Sequence, residues 1–312
     1  MVARRMPSTR RPPRLLVVGS VAFDRLERDD RSERRLGGVV TYGGLTAARL
    51  GCTVEAWSAL SDSLGAVVRQ LLAPIALHLS PSAAPTRFVN RERAGHEREQ
   101  RCPTQARTLV WDDRPFAADT AWDWVHLGPL HGADLAADLG ARLRPRCRVL
   151  SVDLQGYARR IAADGAVVAE VVADIDRRLA GADWVKASDA EWAQVAAALG
   201  LDAAAARARF GWQGLLVTRG AAGGTAHLAC GEIDWPAAPV ESVALETGAG
   251  DVFVTALVAG VIAAGGDAAV EPEVFRGVLA EAARIAARHV AGDWLDLAAL
   301  ALPDPAAPGG AA

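Results

Sequence analysis

Residues 247 to 251 read TGAGD, and Asp251 opens a run from Val252 to Ala264 that is apolar on all sides. A run without a polar face belongs to a buried helix. The first turn of such a helix has N–H groups with no intrahelical partner and the positive end of the peptide dipoles, so it favours an anion. Gly248 and Gly250 lack Cβ atoms and let the backbone turn sharply and come close to a ligand. Spacing alone leaves two readings of Asp251. It caps the helix, as acids there often do. Alternatively, the amides of Ala249 to Asp251 hold developing negative charge while Asp251 takes a proton from an attacking hydroxyl. A dinucleotide fingerprint would need glycine at 253, where Phe253 stands.

The rest of the composition narrows the chemistry. Lys186 is the sole lysine, and no GxxxxGK followed by Ser or Thr exists, so phosphate chemistry is expected to rest on backbone N–H groups, arginine or a metal. Cys52, Cys102, Cys147 and Cys230 lie far apart without CxxC spacing, which suits reduced thiols in a cytosol. His126 and His131 are five apart, off any single helix face, and no HExxH occurs, so structural zinc is not expected. A net charge of −3 steers the chain toward neither nucleic acid nor anionic lipid. The Val252 to Gly266 run is shorter than the roughly 20 residues a membrane span needs, and the arginine-rich start lacks the apolar segment of a signal peptide. A cytoplasmic protein without nucleic-acid or membrane partners is expected.

The elements that must position these residues alternate along the chain. Short apolar runs at 14–20, 53–59, 123–128, 148–153, 182–188 and 214–220 end in small or polar residues and read as central parallel strands. Helical patterns lie between them: Leu45 to Leu50, Asp62 to Leu72, Ala133 to Leu143, Val167 to Leu179 and Asp189 to Leu199, with Asp62 and Ser188 as N-caps. The alternation predicts an α/β fold, a doubly wound, mostly parallel sheet with helices on both faces. Asp153 ends one strand, at the edge where such sheets bind ligands. Residues 21–40 and 84–112 are too polar for the core. A small β lid standing off the main domain fits them, and two ordinary surface hairpins are the plain alternative. Residues 1–13 and 302–312 read as disordered tails around a domain spanning 14–301.

TGAGD resembles the signature near the C-terminus of the ribokinase/PfkB family of carbohydrate and nucleoside kinases, commonly D-T/P-T-G-A-G-D. Thr247, Gly248, Ala249, Gly250 and Asp251 match it; Leu245 replaces the first Asp, and Glu246 fills a variable position. VVGSVAFD resembles the family's first strand, and GGVVTYGG its GG-x3-N motif, with Tyr42 in place of Asn. TRFVNRERAGHEREQR resembles the lid strands, with Arg87, Arg91, Arg93, Arg98 and Arg101 interspersed with acids. SDAE resembles N-x-x-E, with Ser188 in place of Asn, and VTRGAAGG the nucleotide loop. The resemblance runs in order over residues 14 to 295.

It implies a three-layer ribokinase-like fold and transfer of phosphate from ATP to a hydroxyl, by preference a primary alcohol, of a sugar, polyol or nucleoside. Asp251 would be the general base and Gly248, Ala249 and Gly250 the anion hole. Asp24, Gly37, Gly38, Tyr42 and Asp153 would hold the acceptor, the Tyr42 ring stacking on a base or sugar face. Ser188, Thr218, Gly220 and Gly223 would serve the nucleotide, and Glu191 would hold Mg²⁺ through water. A homodimer through the lid is implied as well. In relatives the first Asp lies beside a monovalent-cation site, so Leu245 implies weak or absent K⁺ activation. Leu245 and Ser188 keep open the alternative of a catalytically weak or inactive ligand-binding protein of kinase fold.

Overall fold

The computed structural model describes residues 11–28, 31–92, 99–265 and 271–302. Most of both expected tails, and the lid residues Arg93 and Arg98, lie outside the described residues. In chain order, β1 (Arg14–Val18), β2 (Ala22–Arg28) and β3 (Arg31–Gly37) precede α1 (Val39–Arg49). Next come β4 (Thr53–Leu60), α2 (Asp62–Leu71), β5 (Ile75–Pro81), β6 (Thr86–Glu92) and β7 (Glu99–Thr104). β8 (Trp122–Leu127), α3 (Leu139–Leu143) and β9 (Cys147–Asp153) lead to a hairpin of β10 (Arg159–Ile161) and β11 (Val167–Ala169). α4 (Ile175–Leu179), β12 (Trp184–Ser188), α5 (Asp189–Leu199) and α6 (Ala203–Phe210) follow. β13 (Gly214–Thr218), β14 (Gly224–Leu228) and β15 (Gly231–Trp235) precede α7 (Ala249–Ala263) and α8 (Pro272–Val290).

In β1, Leu15 and Val17 enter one apolar core while Leu16 and Val18 enter another. A strand apolar on both faces needs helices on both. The main sheet has nine strands in the order β15-β14-β13-β12-β9-β8-β1-β4-β5, and β5 through β13 pair in parallel. β14 and β15 add an antiparallel edge. One core takes Val39, Val68, Val252 and Phe275 from α1, α2, α7 and α8; the other takes Leu139, Ile175, Val195 and Ala206 from α3 to α6. The result is the expected three-layer α/β/α arrangement. α7 is buried at every residue from Val252 to Val258, as its all-round apolarity predicts.

The two polar segments form a separate four-stranded sheet, β3-β2-β6-β7. Opposed residues share a face, so Phe23, Leu36 and Arg87 lie on one side and Asp24, Arg35 and Phe88 on the other. The C-terminal segment closes the β3 edge, with the Leu36 amide donating to the Leu300 carbonyl and the Leu302 amide to that of Arg34.

Several local expectations need correction. The helix expected at 133–143 is reduced to α3. Buried Asp134 accepts hydrogen bonds from the Ser20 hydroxyl and the Leu130 amide, a local arrangement that competes with a helix. The helix expected at 167–179 begins instead as β11, because Asp164-Gly165 turns the chain with Gly165 at φ 86°. Ser61, not Asp62, is the N-cap of α2. α1 begins at Val39 rather than Leu45. It runs through Gly43 because it packs on α7, where a Cβ at 43 would lie 2.8 Å from the Thr255 hydroxyl.

Candidate active site

The C-terminal edge of the parallel strands gathers the candidate residues. Asp153 ends β9, Ser188 ends β12 and Thr218 ends β13. Lys186 and Asp153 stand opposite each other in adjacent strands, and Lys186 Nζ lies 3.1 Å from Asp153 Oδ2. Both side chains are buried. Burial opposes the lysine charge, but Asp153, Glu191 and Asp251 outweigh it and hold the ammonium above the ordinary lysine value. The sole lysine also reaches the glycine loop, since a Cβ built on Gly250 would lie 2.9 Å from Nζ. A lysine, in addition to amides, arginine or a metal, therefore lies within reach of the candidate anion site. A lysine inside the apolar run ADWVKAS was the available signal, because a buried charge needs a partner or a purpose.

At the mouth of α7, Gly248 occupies the N-cap position with φ 86°, and no side chain caps the helix. Asp251 is its third residue and does not serve as a cap. The Ala249 amide donates to the Glu246 carbonyl at 3.2 Å, which leaves the Gly250 and Asp251 amides, ahead of the first i to i−4 bond, for an anion. Burial pushes the Asp251 carboxyl up to about 7; Asp153, Asp24 and Glu191 add to the shift and Lys186 opposes it. An acid titrating near neutrality beside amide donors suits proton transfer.

Asp24 projects from the inner face of the lid and is 5% exposed. Gly37, opposite Ala22 in the adjacent strand, must lack a side chain, because any Cβ there would overlap the Asp24 carboxylate. Gly38, at φ 81°, starts α1 with its Cα against the Ser20 carbonyl. Tyr42 is fully buried: its ring lies against Gly248 and meets His289 edge-on, with centroids 5.3 Å apart. That packing removes stacking on a substrate as the ring's task. The hydroxyl has no hydrogen-bond partner among the described residues. Burial, then Asp24, holds the phenol above its ordinary value, so it remains a donor.

Ser188 and Glu191 form a capping box on α5: the Ser188 hydroxyl accepts from the Glu191 amide, and Glu191 Oε2 accepts from the Ser188 amide at 2.8 Å. Glu191 Oε1 lies 3.7 Å from Arg159, whose guanidinium also donates to Gln100 of the lid at 3.4 Å. Arg159 thus joins β7 to α5, a link no motif announced. The Thr218 hydroxyl donates to the Ala187 carbonyl. Thr218, Gly220 and Gly223 line a cleft of about 580 Å³ that runs past Ala249 and Gly250 to Ala283, Ala286, Ala287 and Val290. Among the described residues no three His, Cys, Asp or Glu side chains cluster as metal ligands.

Residues 155–288 match the model of the pfkB family carbohydrate kinases. That match covers less than half of the 312-residue chain. No curated protein matches it in sequence. In structure this chain is similar to a pyrophosphate-dependent kinase in the ribokinase family, solved with sulfate, at 20% identity and TM-score 0.73, over 88% of this chain and 95% of that one. It is also similar to the fructokinase of Xylella fastidiosa with bound ATP, at 21% identity and TM-score 0.73, over 89% and 92% of the two chains. The Burkholderia thailandensis nucleoside kinase in complex with inosine aligns at 17% identity and TM-score 0.66, over 88% and 90%. These likenesses show the ribokinase fold.

Proposed function

We propose that this chain is a ribokinase/PfkB-family kinase that transfers the terminal phosphate of ATP to a hydroxyl of a sugar, polyol or nucleoside. The observation that carries this reading is Asp251, titrating near 7, at an amide-rich helix mouth faced by Lys186. Asp24 holds acceptor hydroxyls, with Asp153 fixing Lys186 beside them. Asp251 takes the proton of the attacking hydroxyl. The new P–O bond forms at the terminal phosphorus as the bond to the ADP oxygen breaks, and ADP leaves with that electron pair. Lys186 and the Gly250 and Asp251 amides stabilise charge on the transferring group. Mg²⁺, held by the donor phosphates and Glu191, supplies further charge neutralisation when bound. The lid, with Arg159 linking Gln100 to Glu191, excludes water that would otherwise accept the phosphate.

The cleft beyond Gly250 favours a nucleotide donor. Its Trp235, Val240, Phe253, Ala286 and Val290 walls suit an aromatic base, for which bare pyrophosphate has no counterpart. Pyrophosphate is nonetheless the donor named for one structural relative, which was solved with a pyrophosphate analog and myo-inositol. A donor-by-acceptor screen, ATP or pyrophosphate against sugars, cyclitols, other polyols and nucleosides, tests the proposal. ATP-dependent formation of a phosphomonoester is expected. Turnover with pyrophosphate alone would remove the nucleotide, and no turnover with any pair would favour a binding protein. A homodimer through the outer lid face belongs to the same reading, and its mass in solution checks it.

A further inference from the structure

The loop that carries Gly248 is held from behind by the last turn of α8. The Val290 carbonyl accepts from the Ala244 amide at 2.8 Å and the Leu245 amide at 3.1 Å. One residue earlier in α8, fully buried His289 places Nε2 2.9 Å from the Thr247 carbonyl. The same imidazole meets the Tyr42 ring edge-on, and that ring fills the space where Gly248 would carry a Cβ. Four supports therefore act on residues 244 to 248: two backbone bonds, one imidazole bond and one aromatic wall.

His289 is a costly residue for mere filling. Its Nδ1 is buried without a partner among the described residues, so a leucine of similar volume would avoid a desolvation penalty that only the Thr247 bond offsets. A carbonyl partner fixes Nε2 as the protonated nitrogen. Burial holds the imidazole below its ordinary value, and Arg35 acts in the same direction, so the ring is neutral. Leu245, in the core at 1% exposed, offers no carboxylate to a cation beside this loop.

We infer that His289, backed by Tyr42, is a positioning residue that clamps Thr247 and Gly248 and so fixes the anion-binding turn ahead of Asp251. The inference rests on the reading of residues 248–251 as the anion hole. The clamp itself can be tested without that reading.

The test compares wild type, His289→Gln and His289→Leu. The amides of Leu245, Ala249 and Val252 carry the loop's own hydrogen bonds. Their hydrogen exchange should accelerate about tenfold or more in the Leu variant, while β9 and α5 stay unchanged. Glutamine, whose amide can replace Nε2–H, should restore protection. With an accepted substrate, kcat should fall about 10- to 100-fold in the Leu variant, with acceptor KM within about twofold. Glutamine should recover most of the loss. If the Leu variant does not fold, ¹⁵N-histidine spectra of the wild type decide, because the clamp requires a slowly exchanging Nε2–H that disappears in His289→Gln. An Nδ1–H tautomer, unchanged loop exchange in the Leu variant, or glutamine behaving as leucine would each overturn the clamp. A several-fold rate gain specific to K⁺ would also overturn it, by showing that a cation holds the turn. Exchange that responds while kcat does not would support the clamp and remove the anion-hole reading instead.

Discussion

Lys186 and Asp251 set the electrostatics of the site together, and each can be separated from the other by substitution. Lys186→Met leaves Asp153 buried without its partner, which should destabilise the fold by about 3–5 kcal/mol. It also removes the charge that holds Asp251 down, so the rising limb of kcat/KM against pH should move above 7. Melting curves and a pH–rate profile check both, and an unmoved limb would place Lys186 outside the reaction. Asp251 makes a prediction about stability of opposite sign. Its folded carboxyl lies near 7 against an ordinary 3.8, so the folded state binds this proton more tightly than the unfolded chain. That contribution is complete below about pH 4 and is lost as pH rises through 7. Asp251→Asn removes the loss, and its melting temperature should gain on wild type between pH 5 and 8. A gap that stays constant with pH would mean the carboxyl is not held neutral. The residue types were open to reading in TGAGD, and the acid's environment was not. Its shift comes first from burial and then from Asp153, Asp24 and Glu191, which only the fold brings together.

The four-stranded sheet and α7 show which elements sequence reveals. An all-round apolar run has one solution, a buried helix, and α7 takes it. Polar residues set apart from the core have one economical solution too, and they form the sheet β3-β2-β6-β7. Elements decided by side-chain bonds to backbone were less legible. Asp134 replaces most of a helix, and the turn at Asp164-Gly165 makes a hairpin from residues whose apolar spacing also suits a helix. The β10–β11 hairpin matters because it delivers Arg159 between lid and Glu191. Hydrogen exchange should find β6 and β7 less protected than β9, with protection rising when acceptor binds. Equal protection in both, insensitive to ligand, would count against a lid.

For the whole molecule, the strand alternation was legible because β1, β4, β8, β9, β12 and β13 are apolar on both faces and end at one edge. The cleft was not, since its walls come from α7, α8 and the segment after β15, far apart in sequence. Filling it tests donor choice: Ala286→Trp should raise the ATP KM about tenfold or more, equivalent to at least ~1.4 kcal/mol of lost binding. An unchanged ATP KM would move the nucleotide elsewhere. The central claim is that Asp251 takes the proton of an attacking hydroxyl. Its most direct test is turnover by Asp251→Asn, followed by ³¹P spectroscopy of ATP, ADP and product, on protein shown to be folded and to bind ATP as wild type does. The account predicts equal amounts of ADP and one phosphomonoester from wild type, and kcat lower by roughly 10²- to 10⁴-fold in the variant. A folded, ATP-binding variant that keeps kcat within a few-fold of wild type would contradict it.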